Sequence, residues 1–489
     1  MKLKVKDFNL STGGPLVAVL NEKTLKDLNI IATDRIKLKR IKKDLDITCV
    51  VNVSDKGIKK NEIGLFDEVL KKLDLKAGTS IEVERADRPA SINYIKKKLE
   101  GEELNEKEIK TIIKDIMENE LSESELTYFV SGTYTNGLSL KESVYLTNAI
   151  VNTGEKLNFK NKIIVDKHCV GGVAGNRTTM IVIPIIAALG YKMPKTSSRA
   201  ITSASGTADT VETIAPVTLS KSKIEKLVKK TNACMVWGGS VNIAAADDKL
   251  IKIRHPLSID PEGMLLASIM AKKKAVGATH VLIDIPYGPS AKLKNKRQAK
   301  NLKKSFEKIA KELNIKIKVV LTDGSFPIGN GIGPALEIRD VISVLKGDGP
   351  NDLRAKSIFL ATEILKLVKE KNPRKKAIKT LESGLAYKKF REIIQEQGGL
   401  KRPVIPQAKH FYNVKAKRSG KVKGIDNKKI AKLARLAGAP DDKTAGLYIR
   451  VNKNSKIDKR THLFTIYSNS KKNIATTKRM LKEIDPIDY

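Results

Sequence analysis

A glycine-rich segment carries the first cluster of residues whose types could do chemistry. It reads Lys167-His-Cys-Val-Gly-Gly-Val-Ala-Gly-Asn176 and lies between a strand-like apolar stretch and a helix-like one. Glycines let the backbone approach a ligand closely, and a helix N-terminus behind them favours an anion. Lys167 adds a positive charge. The segment predicts a phosphate site, although it lacks the GxxxxGK pattern of a P-loop and a plain structural turn is the alternative.

A second segment is rich in hydroxyl groups. In Thr196-Ser-Ser-Arg-Ala-Ile-Thr-Ser-Ala-Ser-Gly-Thr207, seven of the twelve residues carry a hydroxyl and one is an arginine. Hydroxyl and N–H donors beside a helix N-terminus suit an anion. A single residue is enough to cap the helix that follows. The seven hydroxyls therefore favour a binding loop.

Alternating strands and helices must position these two segments. Over residues 161–345, apolar runs of strand length alternate with longer runs of helical period, which predicts an α/β domain. The predicted strands are NKIIVD, YKMPKTS, ACMVWGG, THVLIDIP and IKIKVVLTD. The predicted helices are TTMIVIPIIAALG, ADTVETI, MLLASIMAKKKAVG, QAKNLKKSFEKIAKELN and PALEIRDVISVLKG.

The whole chain is predicted to be a multidomain α/β protein. Residues 1–85 alternate apolar and polar positions and predict a small β-rich domain. Residues 86–405 are predicted to form the core of the chain that carries the two loops, with a helical lobe at about 91–156 and the α/β domain at about 161–405. Residues 406–489 predict an α+β domain resembling a barrel sandwich, with one helix, NKKIAKLARLAG.

Composition narrows the class of protein. The chain has 489 residues and a formal net charge of +39, and 41% of its residues are hydrophobic, which excludes wholesale disorder. Its three cysteines, Cys49, Cys169 and Cys234, are far apart, so we expect a reducing cytoplasm and no disulfides. The longest apolar run is too short to span a bilayer, and we expect no membrane partner and no secretory leader.

The positive charge makes an RNA-binding protein one alternative. The lysines are spread along the whole chain, and there is only one tryptophan, Trp237. A nucleic-acid site would favour a basic stripe with aromatic residues. We therefore predict a solvated lysine-rich surface without a specific nucleic-acid partner, which would also attract small phosphorylated molecules.

The two segments together resemble the phosphate-side motifs of the thymidine/pyrimidine-nucleoside phosphorylase family. These motifs are DKHCVGGVAGN and SSRAITSASGTADTVE. The similarity continues through RHPLSIDPEGMLLASIMAKK, GNGIGPALEIRDVI and GKVKGIDNKKIAKLARLAGAPDDKTAGLYI, and covers about residues 88–489. SRAITS, SIDPEG, GPSAKL and the extra N-terminal domain resemble an archaeal branch of the family that acts on nucleotides.

The resemblance implies a phosphorolysis and a set of site residues. The substrates would be AMP and inorganic phosphate, with CMP and UMP left open, and the products would be the base and ribose 1,5-bisphosphate. It implies no metal or organic cofactor and a homo-oligomer, a dimer or larger. The residues implied to hold inorganic phosphate are Lys167, Cys169, Ser197 and Thr207. Those implied to contact the nucleotide are Gly172, Ser198, Arg199, Ala200, Ile201, Thr202, Ser203, Thr207, Ser268 and Lys292, with Lys272 and Arg254 as candidates for base contact. Nucleoside members of the family usually have serine where Cys169 stands.

The resemblance implies that Asp260 is the proton donor to the leaving base. Such an acid typically contributes about 10²–10⁴-fold to the rate. An aspartic acid can serve near neutral pH only if burial raises its pKa. His168 is the rival acid, because its ordinary pKa lies near neutrality. Asp260 could also simply cap a helix that begins at Pro261.

A nucleotide substrate needs a second anion site for its 5′-phosphate. Ser198, Arg199, Thr202 and Ser203 offer surplus donors, and Lys292 follows the predicted strand THVLIDIP. The carboxyl ends of strands are where α/β sheets bind ligands. The alternative is that Lys292 is one more surface lysine.

Three other features leave alternatives open. Gly329-Asn-Gly-Ile-Gly-Pro334 only approximates a dinucleotide motif, because Pro334 replaces its last glycine. Asp247 and Asp248 could bind Mg²⁺ in a phosphoribosyltransferase, or could be carboxylates at a helix start. The C-terminal region offers no Met-Lys-Met acceptor for biotin. The alternatives to nucleotide phosphorolysis are thus a pyrimidine-nucleoside phosphorylase, a phosphoribosyltransferase and an RNA-binding protein.

Overall fold

The structure is a computed structural model that describes residues 1–13, 16–40, 45–200, 203–257 and 259–489. The chain divides into two compact units. The first unit comprises Met1–Thr153 and Ala245–Ala267, and the second comprises Gly154–Ala244 and Ser268–Tyr489. Helices and strands are labelled below in chain order.

The N-terminal part of the first unit is a closed six-stranded barrel. Its strands are β1 (Lys2–Asp7), β2 (Val17–Leu20), β3 (Arg35–Arg40), β4 (Leu45–Val53), β5 (Glu62–Leu65) and β6 (Ser80–Ala86). Two short helices, α1 (Glu22–Leu28) and α2 (Asp67–Leu73), interrupt them. The strand order is β1-β5-β2-β4-β3-β6, and β6 pairs back onto β1. Alternate apolar residues such as Ile36, Leu38 and Ile63 are fully buried inside it.

Helices make up the rest of the first unit. They are α3 (Ser91–Leu99), α4 (Glu106–Glu118), α5 (Glu123–Asn136), α6 (Leu140–Asn152) and α10 (Ala245–Arg254). Asn105, Ser122 and Ser139 begin α4, α5 and α6 with reciprocal capping boxes. The starts of these helices are therefore set by capping residues that are visible in the sequence.

Parallel strands form the centre of the second unit. They are β7 (Val165–Cys169), β8 (Met193–Ser197), β9 (Ala233–Trp237), β10 (His280–Tyr287) and β11 (Lys316–Asp323). One sheet has the order β11-β10-β7, and β8 pairs with β9. A parallel bridge between Ile164 and Lys192 joins the two sets. The carboxyl ends of neighbouring strands in each set therefore point the same way.

The helices of the second unit cover these strands. They are α7 (Thr178–Ala188), α8 (Thr207–Glu212), α9 (Lys221–Thr231), α12 (Lys296–Glu312), α13 (Pro334–Lys346), α14 (Asn351–Leu367), α15 (Pro373–Glu382) and α16 (Leu385–Gln397). α11 (Glu262–Ala275) begins in the first unit and ends in the second. Residues 178–187 of α7 are all buried, as its largely apolar sequence predicts.

The C-terminal part of the second unit combines short strands with two helices. The strands are β12 (Gly331–Ile332), β13 (His410–Lys415), β14 (Gly420–Lys421), β15 (Gly424–Ile425), β16 (Gly446–Ile449), β17 (Lys456–Ile457), β18 (His462–Ser468) and β19 (Ile487–Asp488). The helices are α17 (Asn427–Leu436) and α18 (Lys471–Met480). The prediction of a single helix here was wrong, because the polar sequence of α18 hides its period. Within the described ranges, no helix is long and apolar enough to cross a membrane.

Candidate active site

Three loops leave the carboxyl ends of strands in the second unit. The phosphate loop (residues 170–177) follows β7, the hydroxyl loop (residues 198–206) follows β8, and the lysine loop (residues 288–295) follows β10. The sequence placed the end of β7 at Asp166, but the strand continues through Cys169. Lys167, His168 and Cys169 are therefore held by strand pairing to β10 rather than by a flexible loop.

The phosphate loop and the lysine loop meet at Gly172. Gly171 and Gly172 have φ angles of +97° and +86°, a region that favours glycine. A Cβ atom on Gly172 would lie 2.2 Å from the backbone nitrogen of Lys292. Only glycine lets the two backbones approach so closely. The structure thus brings together two of the residues that the sequence assigned to the nucleotide.

Lys167 is fully buried beneath the phosphate loop. Its ammonium group donates to the hydroxyls of Thr178 (2.9 Å) and Thr179 (3.2 Å) at the start of α7. Burial lowers the pKa of Lys167. Cys169 accepts a weak hydrogen bond from Asn176 at 3.4 Å. Burial and the nearby carboxylate of Asp284 raise the pKa of Cys169, so the side chain is a neutral thiol at pH 7.

A buried cluster of charges surrounds Asp166, also on β7. Its carboxylate contacts Lys273 directly and lies 3.4 Å from Lys195. Burial alone would raise the pKa of Asp166, but these two ammonium groups outweigh it and lower the pKa. Burial also lowers the pKa of Lys273, against the opposing effect of Asp166.

His168 is half-buried, and its imidazole is disfavoured as a cation. Burial lowers its pKa well below the ordinary value, and Lys273, Lys195, Lys272 and Lys167 lower it further. At neutral pH His168 is therefore an uncharged imidazole. This environment weighs against His168 as the proton donor to the leaving base, because the acid form is scarce.

Arg199, a predicted nucleotide contact, is engaged within the protein. Its guanidinium makes two 2.6 Å hydrogen bonds to Glu212. It also lies 3.4 Å from Asp209 and stacks over Trp237 at 5.0 Å from the ring centre. A guanidinium held bidentately by a carboxylate is poorly placed to bind phosphate. Arg199 instead anchors the loop to α8 and β9.

Asp209 shapes the hydroxyl loop and was missed as a site residue. Its carboxylate accepts the backbone N–H groups of Ala200 (2.7 Å) and Gly206 (2.8 Å). These bonds close the loop over the start of α8, where Thr207 is the first helical residue. The sequence signal that could have predicted this cap is an aspartate three positions after a glycine.

Ser197, at the end of β8, and the serines of the hydroxyl loop differ in their contacts. Ser197 donates to Val236 at 3.2 Å and Ser203 donates to Ser205 at 2.9 Å, so both hydroxyls contact backbone carbonyls. Ser198 is exposed. Ile201 and Thr202, which the sequence also assigned to the nucleotide, lie outside the described residues.

Arg177 connects the phosphate loop to the hydroxyl loop. Its guanidinium contacts the carbonyl oxygen of Ser205 and donates to Glu337 on α13 at 2.5 Å. Glu337 is 2% exposed and also accepts from Thr210 at 2.9 Å. Sequence reasoning missed this link, because its members are up to 160 residues apart.

Asn427, at the start of α17, contacts both the phosphate loop and the lysine loop. Sequence reasoning also missed this residue. Its side-chain oxygen accepts from the backbone N–H of Ala174 at 2.9 Å. Its side-chain nitrogen donates to Ser290 and to the carbonyl of Gly324, both at 3.0 Å. The C-terminal part of the unit therefore holds the phosphate loop and the lysine loop in place.

Ser268 and Lys272 lie on α11 within the second unit. Lys272 donates to the hydroxyl of Ser268 at 3.5 Å, and the two residues are one helical turn apart. Ser268 is buried and Lys272 is half-buried. The structure thus pairs a predicted nucleotide contact with a predicted base contact.

Asp260 and Arg254 lie in the first unit. Arg254 is 4% exposed, and its guanidinium is 3.4 Å from Asp247 and 3.5 Å from Asp260. The side chain of Asp260 is 39% exposed. The buried setting that the acid hypothesis requires is therefore absent around Asp260 as described, and a bound base would have to provide it.

The Asp247–Asp248 pair has a structural role at Asp247, which neutralises the buried Arg254. Among the described residues, no group of three or more histidine, cysteine, aspartate or glutamate side chains could hold a metal ion.

The Gly329–Pro334 segment has its backbone donors occupied. Gly329 donates to Asp352 at 3.0 Å, and Asn330 and Gly331 both donate to Asp340 at 2.7 Å. Carboxylates thus take the N–H groups that a dinucleotide motif would offer to phosphate. The interpretation of this segment as a structural loop agrees with these contacts.

Replacing Lys167 tests the phosphate loop. Lys167→Ala should raise the KM for inorganic phosphate by about 10- to 100-fold, the scale of one charge-assisted hydrogen bond, and change the KM for AMP much less. Steady-state kinetics with each substrate varied in turn measures both constants. Equal effects on the two constants would mean that Lys167 is structural or serves the 5′-phosphate.

A parallel α/β domain and a helical bundle in one chain, with loops at the carboxyl ends of the strands, are typical of a glycosyl transferase fold. The helical bundle domain model of a glycosyl transferase family matches residues 92–154, and its a/b domain model matches residues 161–387. The C-terminal domain model of pyrimidine nucleoside phosphorylase matches residues 421–487. Anthranilate phosphoribosyltransferase of Thermus thermophilus shares the fold, with a TM-score of 0.52 and 15% identity over 62% of this chain and 98% of its own.

Curated relatives narrow this class to one family. An AMP phosphorylase of Pyrococcus abyssi is 43% identical over 100% of this chain and 97% of its own length, and one of Thermofilum pendens is 40% identical over 100% and 95%. A putative thymidine phosphorylase of Legionella pneumophila strain Paris is 43% identical over 86% of this chain and 81% of its own. The chain belongs to the thymidine and AMP phosphorylase family of glycosyl transferases.

Proposed function

We propose that this protein is a nucleoside 5′-monophosphate phosphorylase. It converts AMP and inorganic phosphate to adenine and ribose 1,5-bisphosphate, and CMP and UMP are further candidate substrates. The observation that carries the proposal is the contact between the phosphate loop and the lysine loop at Gly172, which puts Lys292 next to the predicted phosphate site. Relatives that are AMP phosphorylases align over the full chain.

In the proposed reaction, an oxygen of inorganic phosphate forms a bond to the anomeric carbon of the ribose. The N-glycosidic bond breaks, and its electron pair leaves with the base. Lys167 supplies positive charge from beneath the loop, and Ser197 and Thr207 stand at the ends of the hydroxyl loop. Holding the phosphate below the sugar is mainly a problem of positioning.

Asp260 is the proposed donor of the proton that the leaving base takes up. Arg254 holds the Asp260 carboxylate at 3.5 Å and is itself fixed by Asp247. Ser268 and Lys272 are proposed to contact the nucleotide and its base, and Cys169, a neutral thiol, would be a weak donor to phosphate.

The decisive experiment is phosphate-dependent release of free base from a panel of nucleotides and nucleosides. AMP should be cleaved in the presence of inorganic phosphate and adenosine much more slowly. Preferential cleavage of thymidine or uridine would favour the pyrimidine-nucleoside phosphorylase that the Legionella relatives suggest. Activity that required both pyrophosphate and Mg²⁺ would instead favour a phosphoribosyltransferase.

Lys292 tests why the substrate is a nucleotide. If its ammonium pairs with the 5′-phosphate, Lys292→Ala should cost about 1.5–3 kcal/mol in kcat/KM with AMP, the scale of a charged hydrogen bond. The loss should be nearly absent with adenosine. Lys294→Ala removes an equally exposed lysine two residues away and serves as the matched control. An equal penalty on both substrates would contradict the 5′-phosphate assignment.

We also expect a homo-oligomer that acts in the cytoplasm. The three cysteines are free, which is compatible with a reducing compartment. Light scattering on the purified full chain measures the oligomeric state.

A further inference from the structure

Lys356, on α14, is a buried lysine that none of the site assignments above includes. Its side chain is 10% exposed, and its ammonium nitrogen lies 3.3 Å from the carboxylate of Asp284. Among the described residues, that nitrogen has this ion-pair contact but no well-directed hydrogen bond. Burying a lysine is costly unless a charge compensates it. The position of Lys356 therefore depends on Asp284.

Asp284 lies at the base of the phosphate loop. It is fully buried on β10, where it pairs with Cys169 of β7, and its backbone carbonyl accepts the N–H of Val170 at 3.0 Å. One carboxylate oxygen accepts from Thr322 at 2.6 Å. Burial alone would raise the pKa of Asp284, but Lys356 and Lys167 outweigh it and lower the pKa.

Asp284 thus has an ion-pair contact with Lys356, and Lys167, on the paired strand β7, acts on it electrostatically. If Asp284 had only Lys167 to balance it, the positive charge of Lys167 would be cancelled from within the protein. With Lys356 present, the cluster of Lys167, Asp284 and Lys356 keeps a net charge of one positive unit. Electrostatic attraction is stronger and less screened by salt inside a buried site than at the surface.

We propose that Lys356 is a positioning residue for the phosphate site: it neutralises Asp284 and so leaves the charge of Lys167 available to inorganic phosphate. Lys356 acts through Asp284 and does not touch the substrate. The proposal rests on the proposed function only in taking inorganic phosphate as the ligand.

The test measures phosphate binding directly, by isothermal titration calorimetry with inorganic phosphate at fixed ionic strength. Lys356→Met should raise the Kd for phosphate by about 10-fold or more, which is the scale of one charged interaction. Lys356→Arg, which keeps the charge, should bind within about 3-fold of the wild type. In the base-release assay, the KM for phosphate should rise while the KM for AMP stays within about 2-fold.

A double variant separates this role from a merely structural one. Lys356→Met combined with Asp284→Asn removes one positive and one negative charge, so Lys167 again lacks an internal partner. Phosphate affinity should return to within about 3-fold of the wild type. The effects of the two substitutions would then not add, which means that Lys356 and Asp284 are strongly coupled. If the single variant fails to fold, the double variant still carries the test, because its buried cluster keeps the net charge of one positive unit that it has in the wild type.

Lys366→Met is the matched control, because Lys366 lies on the same helix and is 58% exposed. It should leave phosphate binding unchanged. Wild-type affinity in Lys356→Met, or a double variant that binds phosphate 10-fold more weakly than the wild type, would overturn the proposal. If the wild type released no base from any substrate but still bound phosphate in a Lys356-dependent way, the proposed function would fail and this inference would stand.

Discussion

Asp260→Asn is expected to lower turnover of AMP by about 10²- to 10⁴-fold, because the amide cannot deliver a proton to the leaving base. The KM for AMP should change little, since Asn keeps the shape of the side chain. Single-turnover measurement of base release isolates this step from product release. The variant should recover most on substrates whose base leaves without protonation.

His168→Gln is the matched comparison for the acid role. The low pKa of His168 leaves its imidazole uncharged, so its loss should cost less turnover than the loss of Asp260. A full-rate Asp260→Asn variant, together with an inactive His168→Gln variant, would transfer the acid role to His168.

Asp166→Asn is expected to lower the free energy of unfolding of the second unit by about 3–5 kcal/mol, the usual cost of leaving buried charges without their partner. Asp166 is fully buried between Lys195 and Lys273. Its amide analogue would leave two ammonium groups in the interior without a carboxylate. Urea denaturation monitored at neutral pH measures the difference, and Asp348→Asn, at an exposed position of the same unit, is the control.

The difference in the free energy of unfolding between the wild type and Asp166→Asn should change with pH in a predictable direction. In the wild type the pKa of Asp166 is lowered, so its stabilising contribution is present above the unfolded-state pKa and is lost as the pH falls through the folded-state pKa. In the variant, Lys273 loses the carboxylate that opposes the effect of burial on its pKa, so it favours its neutral form, whereas the unfolded chain keeps it protonated up to about pH 10. The variant should therefore regain stability between neutral pH and about pH 10. A flat profile would contradict the assigned burial of these charges.

Local patterns predicted most of the α/β domain. The apolar run of α7 and the predicted strands and helices from β8 to α13 lie where the sequence placed them, because hydrophobic period and flanking glycines act over a few residues. The helices α9 and α10 were not predicted. The end of β7 was misplaced because Lys167 and His168 look like loop residues. Lys167 is accommodated in a buried strand because its ammonium group donates to Thr178 and Thr179 on α7, contacts that the local strand pattern does not reveal.

Pairings between distant residues could not be predicted. The barrel closes in the order β1-β5-β2-β4-β3-β6, and neighbours such as β1 and β5 are separated by most of the domain. Arg199 looked like an anion-binding residue because nothing in its loop shows that Glu212 engages it. Lys356 is one of 93 lysines and arginines, and only the structure shows that it is buried beside Asp284.

The three side-chain hydrogen bonds of Asn427 have a consequence for any shortened form of this chain. A polypeptide cut in the stretch after residue 405 would retain every side chain proposed to touch a substrate. It would nevertheless lose the residue that holds Ala174 and Ser290, together with the C-terminal core against which Ala204 of the hydroxyl loop is packed. A shortened chain that ends there is therefore expected to lose phosphate-dependent release of base. The C-terminal region is thus as much part of the enzyme's machinery as the loops it supports.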